Sequence, residues 1–322
     1  MMSSPIVSVV VLNWNGASLL PECIASLKAL LYSPVEIIVV DNGSTDGSVS
    51  LLEKTPGISL VENRGNLGFA AGMNAGFKAA RGTYVAALNN DITVSPDWLG
   101  GAIDILERDP SVGIVSCRQM NYFDRDVIDS LYCYLHKSLI FFQEGFRERY
   151  RPGTAHAVPA RVLGVSGAST LYRKRLLDQM QGFDETFVSY HEESDLCMRA
   201  FLAGWKCVYA PTSVAYHRRS ESFSRVKGAM FYHQTRNRLW FIYKYAPLSL
   251  AIANLGWILF TELRILRVVL FRERVPSSYL KGVADGFAGM PRLSTARREN
   301  MRKLAPKYGE YRQLVKRKAI PL

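Results

Sequence analysis

"YVAALNNDITVSPDWL", residues 84–99, begins as an apolar run of strand type, passes through three polar side chains and opens a helix at Pro96 and Trp98. Tyr84–Leu88 has no polar alternation, so it fits a strand covered on both faces. Ile6–Leu12, Glu36–Val40, Ser59–Val61 and Gly113–Cys117 are further strand-like runs. Ser18–Leu30, Gly68–Ala80 and Trp98–Arg108, between them, have helical spacing. This alternation predicts an α/β fold with a doubly wound, mostly parallel sheet. In such sheets ligands bind outside the carboxyl ends of the strands. There the sequence places "NWNG" (13–16), "DNGSTDGS" (41–48) and "NND" (89–91), three polar clusters expected to converge on one edge.

A chain of 322 residues can fill one large domain or two modest ones. With 48% hydrophobic residues it is globular rather than disordered. The first residues lack a basic segment and a small-residue cleavage site, so no secretory signal is expected. Cys23, Cys117, Cys133, Cys197 and Cys207 contain no CxxC pair and read as reduced, buried thiols of a cytoplasmic protein.

Residues 119–160 are rich in aromatics without a clear period, and read either as an insertion or lid or as a satellite core under a loop. The expected division is a body over 1–245, with halves 1–118 and 161–245 flanking that insertion, and an extension over 246–322. Of the formal charge of +12, residues 263–322 carry 15 Lys and Arg against 4 acids, leaving about +1 for the rest. A basic tail attracts an anionic membrane face or nucleic acid, or is simply a solvated helix. Pro247–Phe260 is almost wholly apolar but shorter than the ~20 residues that cross a bilayer. Followed by "ELRILRVVLFRER", it reads as a helix lying in the membrane interface with Trp257 at headgroup level, or as a core or dimer helix. Met301, Leu304, Tyr308, Tyr311, Leu314 and Val315 trace one apolar face of a basic helix.

Asp41, at a strand end, can accept the imide N–H of a pyrimidine or cap a turn. "ENRGNLGFAAGMNAG" (62–76) lacks both GxxxxGK[ST] and a strand-to-helix GxGxxG, which disfavours a phosphate loop and a Rossmann dinucleotide site. It offers a glycine-punctuated turn into a helix, with Asn63, Asn66 and Asn74 as amide donors. Asp91 suits Mg²⁺ or Mn²⁺, hard ions that take few protein ligands and complete their shell with phosphate oxygens and water, or it caps a turn. In "SYHEESDLCMRAFLAGW" (189–205), Ser189 and Glu192 have capping-box spacing, predicting a helix from about Tyr190 to Gly204. Asp195 and Arg199 can pair along it. Glu193 is left without a structural task and is a candidate general base. His217, ending "TSVAYH", is a metal ligand or a satisfied histidine.

In order, "VSVVVLNWNG", "EIIVVDNGSTDGS", "NRGNLGFAAGMNAG", "ALNND", "GFDETF…YHEESDLCMRAFLAGW" and "VAYH" resemble the inverting A-fold glycosyltransferases of family 2, with the nearest likeness to bacterial rhamnosyltransferase-type members. The resemblance spans roughly residues 5–245. It implies a metal-dependent transfer of a sugar, rhamnose from dTDP-rhamnose by subgroup likeness, to a hydroxyl of a cell-surface or lipid-linked glycan. By this likeness Asn13, Asn15, Asp41, Asn66, Gly68, Asn74 and Asn90 bind the donor, and Asp91 and His217 hold Mg²⁺ or Mn²⁺. Glu193 is the general base, with Glu192 and Asp195 on the acceptor side. Two departures stand out: Asn89 replaces the first acid of the family's DxD-type motif, and "EE" replaces its "ED". The expected partners are a nucleotide-sugar donor, a glycan acceptor and an anionic membrane surface on the inner face of the cell membrane, and no nucleic acid. A nucleotidyltransferase, a non-catalytic polyanion binder and an inactive transferase are the alternatives.

Overall fold

The computed structural model describes residues 4–219 and 227–316. Its first half alternates as the sequence predicts. The order is β1 (Val7–Asn13), α1 (Leu20–Lys28), β2 (Val35–Asp41), α2 (Ser48–Glu53), β3 (Ser59–Glu62), α3 (Phe69–Ala79) and β4 (Tyr84–Asn89). A short β5 (Ile92–Val94) and α4 (Trp98–Arg108) lead into β6 (Val112–Asn121). The aromatic-rich segment follows as β7 (Ile128–Ser130), β8 (Cys133–Leu135) and β9 (Phe141–Gln143). After it come β10 (Ala160–Val162), β11 (Ser169–Arg173), α5 (Lys174–Met180), α6 (Glu192–Ala203) and the long β12 (Lys206–His217).

The main sheet runs β10-β12-β6-β11-β4-β1-β2-β3, with β5 also on β12 and β7 on β6. β1 pairs in parallel with both β2 and β4, and β12 with β6. The exception at the centre is β11, antiparallel to β4 and to β6. Alternate side chains of each strand enter two cores. Val9, Val11, Val39 and Leu88 pack under α1 and α4, while Val10, Ile38, Val40 and Ala87 pack under α3, α5 and α6. Both cores exclude water, which is why the strands read as unbroken apolar runs. Gly76 lets α3 lie directly on the sheet: a Cβ there would sit 2.9 Å from Val40 Cγ2 and closer still to Val10. All five cysteines are buried and free.

The aromatic-rich segment is no detached lid. Tyr132 packs on Tyr209 and Phe141 on Phe241, with ring centroids 5.6 and 5.4 Å apart.

Beyond β12 the chain is helical: α7 (Lys227–Tyr245), α8 (Leu248–Ala253), α9 (Leu255–Arg267), a π-helical turn over Val268–Glu273, α10 (Pro276–Gly289), α11 (Ser294–Leu304) and α12 (Tyr308–Leu314). Pro247–Phe260 is thus two helices broken at Asn254. Its Trp257 is half-buried, meeting the His136 ring edge-on at 5.3 Å on one side and Phe260 at 6.4 Å on the other. The face drawn by Met301, Leu304, Tyr308, Tyr311, Leu314 and Val315 exists and is turned inward, onto Phe201, Leu202 and Phe241.

One buried carboxylate ties this extension to the body. Asp195 is fully buried and accepts from Arg199 Nε at 2.7 Å, from Tyr245 Oη at 2.7 Å and from Lys244 Nζ. Arg199 also donates to the carbonyls of Met180 and Gly182, and Lys244 reaches Asp184 at 3.1 Å. The expected Asp195–Arg199 pair is therefore present, and both oxygens of Asp195 are engaged inside the fold by Arg199, Lys244 and Tyr245. Burial alone would raise its pKa; Lys244 and Arg199 outweigh that and hold it at about 2. Its folded pKa lies below the ordinary aspartate value, so its stabilisation is complete above about pH 4 and fades as pH falls toward 2. Asp195→Ala strands two cations in the interior and should cost about 3–5 kcal/mol in denaturant titration. A loss under about 1 kcal/mol would remove Asp195 from this role.

Candidate active site

The strand register sets the polar clusters side by side: Asn13 lies opposite Asp41, and Leu12 opposite Asn89. Asn13 Nδ2 donates to Asp41 Oδ2 at 2.8 Å, while Asn90 Nδ2 donates to Asn13 Oδ1 at 2.7 Å. The tips of β2, β1 and β4 are thus bridged by side chains. Gly16 leaves room for this bridge, since a Cβ there would fall 2.5 Å from Asn13 Oδ1 and onto Asn90 Nδ2, displacing the amides. Asp41 Oδ1 also accepts from the amides of Gly43 and Ser44 at 3.1 and 2.8 Å. Asp41 is both a strand-end carboxylate and the organiser of its turn. Asn15, at φ 51°, accepts from Thr45 N at 2.7 Å and fastens the next stretch of the same loop.

Asn42, which the sequence reading passed over, holds the second loop. Its Oδ1 accepts from Asn63 Nδ2 and Leu67 N, and its Nδ2 donates to Asn66 Oδ1 and the Gly68 carbonyl. Asn66 and Gly68 are accordingly at the same edge. Asn74 is not. Its amide is spent on Phe183 N, the Phe183 carbonyl and Glu185 Oε1, at 2.8–2.9 Å, so it clamps α3 to the turn after α5.

Asp91 follows β4 directly, and His217 Nε2 lies 3.4 Å from its Oδ1. The other ring nitrogen, Nδ1, is 2.8 Å from Asp129 Oδ2, and Arg219 binds the second oxygen of Asp129. Asp129 is buried on β7, inside the aromatic-rich segment, where no hydrophobic period marks it. A carboxylate behind one imidazole nitrogen fixes the ring so that the other faces forward, the arrangement that orients metal-ligating histidines. Among the described residues no three His, Cys, Asp or Glu side chains cluster as a complete metal cage. Asp91 and His217 are two side chains that could hold a hard divalent ion, which keeps positions for phosphate oxygens and water. Burial would lower the His217 pKa; hydrogen bonds and charge from Asp129 and Asp91 outweigh it and raise it to about 9.

The helix carrying the glutamates starts at Glu192, not near Tyr190, and the capping box does not form. Ser189 Oγ instead accepts from Phe69 N at 3.1 Å, and Ala70 N donates to the Val188 carbonyl at 3.0 Å. Val188, Tyr190 and His191 all have positive φ, 65–72°, which turns the chain past the start of α3 and into α6. Glu192 is freed from the cap and is only 4% exposed, whereas Glu193 is half-buried. Burial and the adjacent Glu193 charge raise Glu192 well above the ordinary glutamate range; burial raises Glu193 as well. Gly167 connects them to the strand tips. It lies under the Glu193 side chain, and its neighbour Ala168 accepts from Asn89 N at 3.0 Å, two residues before Asp91.

The whole architecture matches solved transferases. TarS 1–349 of S. aureus in complex with UDP-GlcNAc superposes with a TM-score of 0.60 at 18% identity, over 97% of this chain and 93% of that one. A mannosyltransferase from Pyrobaculum calidifontis, solved with GDP-Man and Mn²⁺, gives 0.55 at 18% identity, over 90% and 88%. The protein has the GT-A type fold of nucleotide-sugar transferases. Residues 8–180 match the Glycosyl transferase family 2 pattern, and the chain belongs to that family: it is a glycosyltransferase. It is 26% identical over 247 residues to N-acetylglucosaminyl-diphospho-decaprenol L-rhamnosyltransferase of Mycobacterium tuberculosis, covering 68% of this chain and 78% of the relative. It is 31% identical over 232 residues to the succinoglycan biosynthesis protein ExoO of Rhizobium meliloti, covering 69% and 63%.

In the metal-free protein the His217 imidazole should titrate near pH 9, followed by nitrogen-15 NMR. Asp129→Asn removes one of its two anions and should move that titration downward. An unmoved titration would show that Asp129 does not govern the ring.

Proposed function

We propose that the protein transfers a sugar from a nucleotide diphosphate to a glycan hydroxyl with inversion at the anomeric carbon. The observation carrying this reading is that Glu193 packs on Gly167, whose neighbour Ala168 bonds Asn89 at the tip of β4, two residues before Asp91 and its partner His217, on the same sheet as the strand that ends at Asp41. Asp41 is positioned by Asn13 and the turn amides to accept the imide N–H of a pyrimidine ring. The Asn42-held loop, with Asn66 and Gly68, offers backbone and amide donors, and Asn90 stands beside it for the ribose or sugar. Asp91 and His217 would hold Mg²⁺ or Mn²⁺, which when bound supplies positive charge against the diphosphate leaving group. Glu193, the more exposed of the two glutamates, takes the proton of the acceptor hydroxyl as its oxygen attacks opposite the diphosphate. The C–O bond to the acceptor forms as the bond to the diphosphate breaks, and no covalent enzyme intermediate intervenes.

Likeness to the mycobacterial rhamnosyltransferase supports dTDP-rhamnose as donor and a lipid-linked or cell-surface glycan as acceptor. The test is nucleotide-diphosphate release from a panel of nucleotide sugars with Mg²⁺ or Mn²⁺. One donor should be hydrolysed in a metal-dependent way by the wild type and not by Asp91→Ala. Equal turnover by Asp91→Ala would remove Asp91 from the centre, and absence of both turnover and calorimetric donor binding would overturn the reading. Glu193→Gln should keep donor affinity while transfer falls by about 10²-fold or more. If Glu192→Gln carries that loss instead, the two glutamates exchange roles.

A further inference from the structure

The extension turns one set of side chains outward that no other described residue covers. Leu248, Ile252, Leu255, Leu259, Leu263 and Leu270 follow at spacings of four, three, four, four and seven, and each is 41–69% exposed. Phe260 and Phe271 widen the stripe, at 49% and 75%. Of the fifteen large apolar side chains most exposed among the described residues, ten lie between 248 and 287. Scattered exposed leucines need no explanation, whereas a continuous apolar stripe marks an interaction surface. The opposite side of the same helices is fastened down: Leu250, Asn254, Thr261 and Val269 are buried, and Glu262 accepts from Arg238 at 2.7 Å and from Tyr279 Oη at 3.1 Å. The stripe is thus a rigid face rather than a loose helix awaiting its place in the core.

Charge decides what covers it. Arg267, Arg272 and Arg274 are exposed along the stripe, and Arg264 stacks over Phe260 at 5.6 Å. The one acid beside them, Glu273, is occupied by Lys227 and Arg272. A second copy laid on the stripe by twofold symmetry would set arginine against arginine, while an anionic lipid surface meets them with opposite charge. No helix among the described residues is long and apolar enough to cross a bilayer, so the face can only lie on one. We infer that α8, α9 and the π-helical turn dock flat on an anionic lipid surface, with the leucines and phenylalanines in the acyl boundary and the arginines at headgroup level. This inference is independent of the donor, acceptor and metal assignments.

The experiment is flotation of the full chain with phosphatidylcholine vesicles, with and without phosphatidylglycerol. The wild type should float with the anionic vesicles, and Leu259→Asp/Leu263→Asp should lose about tenfold or more of that partition. Arg267→Gln/Arg272→Gln should weaken it and flatten its salt dependence. Because both leucines are more than half exposed, circular dichroism and Tm should match the wild type. Should they not, Phe271→Ser, at a side chain 75% exposed, is the comparison that decides. The inference is overturned if the wild type ignores anionic vesicles or if the apolar variants float equally. It is also overturned if light scattering shows a wild-type dimer that the double substitution makes monomeric, since the face would then belong to a second copy.

Discussion

Taking a carboxylate out of water costs several kcal/mol unless opposite charge and hydrogen bonds surround it, and at Asp195 three elements are recruited to do so. Arg199 comes from the same helix, Lys244 and Tyr245 from the end of α7, and the cations are in turn held by the turn after α5 and by Asp184. No one of these partners can move without exposing a buried charge. The consequence reaches both ends of the molecule. The first turn of α6 presents Glu192 and Glu193, and the end of α7 leads directly into the helices with the apolar stripe. Asp195 therefore fixes the glutamates and the outward face in one frame, although it touches neither.

The site is assembled from segments distant in the chain, and polar side chains do the joining. Asn13 spans Asp41 and Asn90 across three neighbouring strand tips, and Asn42 gathers the loop that precedes α3. Amides suit this work because each can donate and accept at once without bringing charge. The acids are thereby kept apart: Asp41 within its turn amides, Asp91 with His217, and the two glutamates at the start of α6. Carboxylates crowded at one edge without such partners would repel one another and any phosphate brought to them.

Periodic signals in the sequence translated into structure; signals that depend on long-range pairing did not. The apolar runs of β1, β2 and β4 and the helical spacing of α3 and α4 were legible because each is set by its own burial pattern. The direction of β11 was not, since a strand buried on both faces reads the same parallel or antiparallel. Ser189 and Glu192 have the spacing of a cap, yet Phe69 N, 120 residues away, claims the serine oxygen. Asn74 sits among glycines that favour ligand approach, but Phe183 and Glu185 take its amide. Asp129 lay in a stretch without a period, and its value arises only when β12 brings His217 to it across 88 residues. Local patterns state what a residue can do; a tertiary competitor decides what it does.

Between Val188 and His191, three side chains with Cβ atoms occupy left-handed backbone where glycine would sit more easily. Each such residue costs on the order of 1–3 kcal/mol, sustained only because the surrounding contacts leave no other course. Glycine at those positions would relieve the turn but give the chain many more unfolded and folded alternatives. The segment thus behaves as a loaded bracket between α3 and α6. Thermal robustness and accuracy of side-chain placement pull in opposite directions there, so selection for one would erode the other.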